Sequence, residues 1–266
     1  MSGDVESTVA KNAPPEEIPS VEIQGKRVTF PVEVQNASSG VAMFLVKAGI
    51  ARSFLPDANL DVLEIFPGKA VLTISAIDYK ENDLGDYNEV AIAFFVREAA
   101  CKSLVPYLGD LFSILRGRAA TYIQHLPVDQ AFTCEAGSRI WGFPKTVEDI
   151  AFDYVDDVDD GEAQRVSCRL VMDGSLVLEC SFPRKGTGKM KDSSLCTYSY
   201  IQGVLHKTNF ISGASGMGQF MSGTRIALGD HPIADELRQL GLPKRPFASV
   251  WIEKMHARFD LPEKVV

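Results

Sequence analysis

The chain has 266 residues, 45% of them apolar, enough for one sizeable core. Its net charge of −8 is spread along the sequence with no basic stripe and no arginine-rich helix, so the footprint that nucleic acid requires is missing. No apolar run approaches the roughly 20 residues that span a bilayer, and the acidic, polar stretch from Met1 to Ser20 does not follow the basic-then-apolar order of a secretory signal; a cytoplasmic protein without a membrane partner is expected.

Residues 1–19, with Pro14-Pro15-Glu16-Glu17 and little apolar content, cannot offset their ordering entropy. They are expected to form a flexible tail before a single domain over residues 20–266. From Val21 the sequence alternates with a period of two at Val28, Phe30 and Val32, at Val62 and Ile65, at Val71, Thr73 and Ser75, and at Val90, Ile92, Phe94 and Val96. Such alternation marks strands with one buried face. Ser39 offers an N-cap for a helix over Gly40 to Phe54 that Pro56 would stop, and a short helix is expected around Leu111 to Arg118. Beyond residue 149, the segments Ile150 to Tyr154, Arg165 to Met172 and Leu176 to Phe182 read as a meander with turns at Asp156 to Gly161 and at Asp173-Gly174. A helix over Pro232 to Leu240 follows an Asp230 cap and ends at Gly241. Many strands and few helices predict an α+β domain, mainly antiparallel β, with the sheet closing on itself and helices outside.

Several motifs point to no chemistry. The acidic turn fails as a calcium loop: with Gly161 in the glycine place, the third and twelfth ligand positions fall on Val158 and Ser167. Arg184 to Lys191 reads as a solvated loop, and Gly213 to Gly218 has its glycines in the wrong order for a dinucleotide fingerprint. Cys101, Cys134, Cys168, Cys180 and Cys196 contain no C-x-x-C pair and read as reduced core residues. The four histidines are scattered; no metal and no cofactor are expected.

One segment stands apart. Ile140-Trp141-Gly142-Phe143-Pro144-Lys145-Thr146 places a single amine at the end of an apolar, turn-forming run. Taken alone, a lysine there is an exposed residue at a strand end. Desolvation against Trp141 and Phe143 would instead disfavour the ammonium form and release a nucleophile.

The stretch from Tyr122-Ile123 through Val128-Asp129 and Gly137 to Trp141-Gly142-Phe143-Pro144-Lys145 resembles the active-site segment of the acetoacetate decarboxylase family. Gly85-Asp86-Tyr87-Asn88-Glu89-Val90 is similar to that family's Gly-x-Tyr-x-Glu strand start. A more diffuse similarity covers Leu60 to Ile77 and Gly223 to His231, so the resemblance spans roughly residues 25 to 260. It implies a closed or cone-like β-barrel with the lysine inside and association into a homo-oligomer. It also implies a Schiff-base lyase that decarboxylates a 3-oxo acid, Lys145 condensing with the ketone so that an iminium accepts the electrons of the breaking bond. Glu89 would then transfer protons near the imine, Arg27 would hold the substrate carboxylate, and Tyr87, Trp141 and Phe143 would line the substrate site.

This sequence departs from the family pattern in three places. Thr146 stands where the decarboxylases carry a second lysine. Gly137-Ser138-Arg139 displaces an arginine by one position and drops a glutamate; were this a strand, one position would mean the opposite face. The acidic residue expected before Asp78 is replaced in the region of Leu72 and Thr73. Two rival readings follow. The same iminium serves aldol, dehydration or hydration chemistry on a small keto acid, and a barrel without catalysis would bind its ligand with Lys145 as counter-ion.

Overall fold

The computed structural model describes residues 18–101, 105–155 and 164–265. Most of the tail expected at residues 1–19, and the turn expected at Asp156 to Gly161, lie outside the described residues. In chain order, a hairpin of β1 (Ser20–Ile23) and β2 (Lys26–Thr29) precedes β3 (Val32–Lys47), α1 (Ala48–Ser53), β4 (Leu60–Val62), β5 (Glu64–Phe66), β6 (Lys69–Asn82) and β7 (Tyr87–Glu98). Next come α2 (Leu108–Leu115), β8 (Ala120–Val128), α3 (Ala131–Trp141), β9 (Lys145–Val147), β10 (Asp149–Val155), β11 (Arg165–Met172) and β12 (Ser175–Pro183). The chain closes with β13 (Gly188–Ile201), β14 (Val204–Phe220), β15 (Arg225–Leu228), α4 (Pro232–Leu240), β16 (Ala248–Phe259) and β17 (Glu263–Lys264).

Seven strands form a closed barrel in the order β7-β6-β3-β16-β14-β13-β8, and β8 pairs back onto β7. Every junction is antiparallel except β13 with β8. A second sheet, β10-β11-β12-β15, continues the chain's hairpins. Its turn at Asp173-Gly174 has φ values of 50° and 73°, the positive pair that a two-residue hairpin of the right twist requires.

The larger core lies outside the barrel wall. Leu72 and Ile74 of β6, Val90, Ile92 and Phe94 of β7, and Phe44 of β3 are buried with Val166, Leu170, Leu178 and Phe182 of the second sheet and Leu237 of α4. Gly40 makes this contact possible: a Cβ there would stand 2.5 Å from the Phe182 ring. Phe182→Ala is therefore expected to cost about 3–5 kcal/mol, the usual scale for a buried aromatic, and chemical denaturation would register it. The odd-numbered neighbours, Thr73 and Ser75 on β6 and Ala91 and Ala93 on β7, face the lumen instead.

Apolar residues on both faces explain why most of one expected helix is strand. Residues 40–47 lie in β3, and only Ala48–Ser53 is helical. Gly40-Val41-Ala42-Met43-Phe44-Leu45-Val46 is a continuous apolar run, which a buried helix shares with a strand whose second face is apolar too; here Ala42, Phe44 and Val46 are buried and Val41, Met43 and Leu45 partly so. The expected helix near Leu111 begins earlier, at Leu108. Helix α4 matches residues 232–240, but its cap is His231, whose Nδ1 accepts from the Ile233 N–H at 3.2 Å. Cys168 and Cys180 are buried and reduced, as expected, whereas Cys101 is exposed.

Candidate active site

The lysine is delivered by a helix ending that the sequence reading did not foresee. Helix α3 buries Thr133, Ala136, Gly137, Ile140 and Trp141, a three-and-four spacing along one face. It stops at Gly142, in the left-handed region at φ 66°. The Phe143 N–H donates to Gly137 O and the Gly142 N–H to Ser138 O, both at 3.2 Å, which satisfies the last carbonyls of the helix. A side chain at Gly142 would meet Tyr200 O at 2.6 Å, so the turn needs glycine twice over. Pro144 then blocks further helix. The chain enters β9, where Lys145 pairs in parallel register with Leu126.

Lys145 points into the barrel. Its Nζ donates to Glu89 Oε2 at 2.7 Å, and the side chains are 5% and 7% exposed. The ammonium also lies 4.9 Å from the centre of the Tyr87 ring. Glu89 sits on β7 between Ile77 of β6 and Val128 of β8, and its Oε1 accepts from the Tyr79 hydroxyl at 3.3 Å. Tyr79 and Tyr87 stack with ring centroids 4.4 Å apart. Burial holds both phenols well above their ordinary range, and the nearby Glu89 carboxylate adds to it. They remain neutral donors, and Glu89 is the acceptor beside the amine. The register is pinned from behind: Asn88 donates its backbone N–H and its amide to the two Asp129 oxygens, each at 2.8 Å.

The pair opens on a cavity of about 230 Å³ inside the barrel, to which all seven strands contribute. This lies just below the roughly 300–1,000 Å³ of drug-sized pockets and suits a small ligand. Trp141 and Phe143 line it, stacked at 6.0 Å, and Trp141 Nε1 is tied to Asp260 O at 2.8 Å.

The structure thus brings together Lys145, Glu89, Tyr87, Trp141 and Phe143. It does not bring Arg27. Arg27 lies on β2 between buried Val28 and exposed Lys26, is itself exposed, and donates Nε to Ser20 Oγ at 2.9 Å. On a strand the face alternates, and Val28 takes the inward one. The carboxylate-binding role therefore has no support in this placement. Arg139, read above as though on a strand, belongs to α3 and pairs on the outside with Glu135 at 2.8 Å. Where the family's acidic residue was missed, Thr73 and Ser75 line the cavity.

Two contributors escaped the sequence reading as site residues. Tyr79 is one, reaching Glu89 from the neighbouring strand. Gly137 is the other: a Cβ there would stand 2.5 Å from Lys145 Cδ and 2.6 Å from Cε. Gly137→Ala should push the lysine aside. Since a displacement near 1 Å can cost about 10²-fold in rate, any reaction of the Lys145 amine with a carbonyl probe is expected to slow by about 10-fold or more. Alanine adds roughly 0.5–1 kcal/mol of helix preference, so the melting temperature should hold, and a circular-dichroism melt beside a trapping assay separates the two.

A barrel enclosing a buried lysine–carboxylate pair is a setting for amine chemistry on a carbonyl. The sequence profile of the family described as acetoacetate decarboxylase (ADC) matches residues 19–261, and the chain belongs to that family. Among curated proteins none matches the sequence. The fold is similar to that of an acetoacetate decarboxylase from Legionella pneumophila subsp. pneumophila str. Philadelphia 1, with a TM-score of 0.61 and 15% identity over 89% of this chain and 87% of that one. It is similar also to an acetoacetate decarboxylase-like enzyme from Sphingomonas wittichii RW1, with a TM-score of 0.59 and 14% identity over 92% and 98% of the two chains. The enduracididine biosynthesis enzyme MppR, solved with pyruvate, aligns with a TM-score of 0.58 and 16% identity over 89% and 91%. At these identities the likeness is one of fold.

Proposed function

We propose that the protein is a Schiff-base enzyme in which the Lys145 amine attacks the carbonyl carbon of a small substrate held in the barrel. The observation that carries this reading is the 2.7 Å contact between Lys145 and Glu89, two nearly dry side chains at the wall of the cavity. Attack requires the amine to lose a proton, and Glu89 Oε2 stands in line to take it. The same carboxyl group returns that proton to the carbinolamine oxygen, water leaves, and an iminium forms on Lys145.

Two routes lead from the iminium to an enamine. A 3-oxo acid loses CO2, and the pair of electrons from the broken carbon–carbon bond moves toward the nitrogen. Alternatively Glu89 removes a proton from the carbon beside the former carbonyl, and that C–H pair moves the same way. Protonation at carbon and hydrolysis then return the free amine. Pyruvate in the MppR structure is itself a carbonyl compound, which supports carbonyl binding as a use of this fold. The counter-ion reading is less economical, because Lys145 already has its counter-ion in Glu89.

The enamine can be tested without knowing the natural reaction. Protein in heavy water is expected to exchange deuterium into the α-position of small ketones, aldehydes or keto acids above the buffer rate, with the exchange lost in Lys145→Arg. Equal exchange in both proteins, or none across a broad panel, would contradict an enamine on Lys145.

A further inference from the structure

Building on the Schiff-base reading above, we infer that the substrate is an uncharged aldehyde or ketone with an apolar body rather than a keto acid. Among the described residues that line the cavity, Lys145 and Glu89 are the charged ones, and they are bonded to each other. The iminium carries its positive charge on the same nitrogen, so the Glu89 carboxylate is its partner until it takes the α-proton. A substrate carboxylate would be a second anion beside Glu89 in a dry site, where an unpaired charge is strongly disfavoured. Arg27 cannot serve it, being exposed and bonded to Ser20. Lys80, adjacent to lumen-facing Tyr79, is turned the other way and donates to Ser38 Oγ at 2.7 Å.

The polar groups of the cavity point to the same conclusion, because a carboxylate only accepts hydrogen bonds and needs donors. Most donors here are spent on the protein. Thr73, Thr197 and Ser212 give their hydroxyl protons to the carbonyls of Ala93, Thr121 and His256. The Tyr79 proton goes to Glu89 and the Trp141 N–H to Asp260 O. Asn82 donates to Gly85 O and accepts from the Leu84 N–H. Apart from the Ser75 and Thr121 hydroxyls and the second Asn82 N–H, which are uncharged donors, what these groups offer a ligand is oxygen lone pairs, which suit a hydroxyl and repel an anion. The rest of the wall, including Ile77, Ile123, Phe210, Met255 and Phe259, is apolar. For an uncharged substrate the enamine arises by the second route: Glu89 takes the α-proton, and the C–H electron pair becomes the carbon–carbon double bond as the nitrogen loses its charge. The reaction class is then aldol addition or cleavage, or dehydration of a hydroxylated carbonyl compound.

The test compares 3-oxohexanoate with its methyl ester and with 2-pentanone, each incubated with the intact chain and borohydride and mapped by mass. The ester and the ketone are expected to label Lys145 at least about 10-fold faster than the acid. Labelling by the acid at an equal or greater rate, or its catalysed decarboxylation, would overturn the inference and leave the Schiff base standing. If none of the three labels Lys145, the Schiff-base reading fails instead. Calorimetry on Lys145→Arg then decides the charge argument separately, since that variant keeps the positive charge and cannot form an imine. Tighter binding of hexanamide than of hexanoate supports it, and the reverse order overturns it.

Discussion

Lys145→Arg is expected to abolish turnover while leaving the melting temperature close to that of the native chain. Arginine keeps the positive charge that the buried Glu89 carboxylate needs, so the pair survives in altered form. It cannot shed a proton near neutral pH, and no nucleophile remains. Arginine is a sharper substitution than alanine, which would strand Glu89 as an unpaired buried charge at a cost of about 3–5 kcal/mol and confuse catalysis with stability. Activity equal to the native level would place Lys145 in the architecture alone.

Glu89→Gln is expected to lower the catalytic rate by about 10²-fold or more, the usual scale for a positioned proton-transfer group. The two proposed roles of Lys145 and Glu89 then separate. An amine without an adjacent carboxylate is no less able to attack a carbonyl, since an opposite charge favours the ammonium form. Borohydride trapping at Lys145 should slow in Glu89→Gln, with water carrying the protons of imine formation, yet still reach the same adduct while steady-state turnover collapses. Tyr79 cannot replace the lost base, because burial keeps its phenol protonated. Unchanged turnover would reduce Glu89 to a counter-ion.

Parts of this arrangement are legible from residue order and parts are not. Alternation in β6 and β7 exposes the strands, and the stretch Tyr87-Asn88-Glu89 places Tyr87 and Glu89 on one face with Asn88 on the other. The helix over residues 232–240 is marked by proline at its start and glycine at its end. By contrast, α3 is built from Phe132, Thr133, Gly137 and Ser138, which are poor helix formers; packing of its buried face overrides propensity there. The spacing of Thr133, Ala136, Gly137, Ile140 and Trp141 carried the signal. Residues 40–47 mislead in the opposite direction, because a strand with apolar residues on its partly buried face as well as its buried one loses the alternation of residue type that identifies it. Arg27 shows the limit of motif transfer: a match in sequence does not fix which face of a two-stranded hairpin meets the site. The role of Gly137 is invisible from sequence, since it lies in the space a methyl group would take from Lys145.

In the proposed reaction Lys145 becomes covalently joined to its substrate. The direct measurement is peptide mapping by mass spectrometry after borohydride treatment with a broad panel of ketones, aldehydes and keto acids. The predicted result is one reduced adduct, on the peptide that carries Lys145, absent from Lys145→Arg. An adduct confined to other lysines, or no adduct with any carbonyl in the panel, would contradict the account.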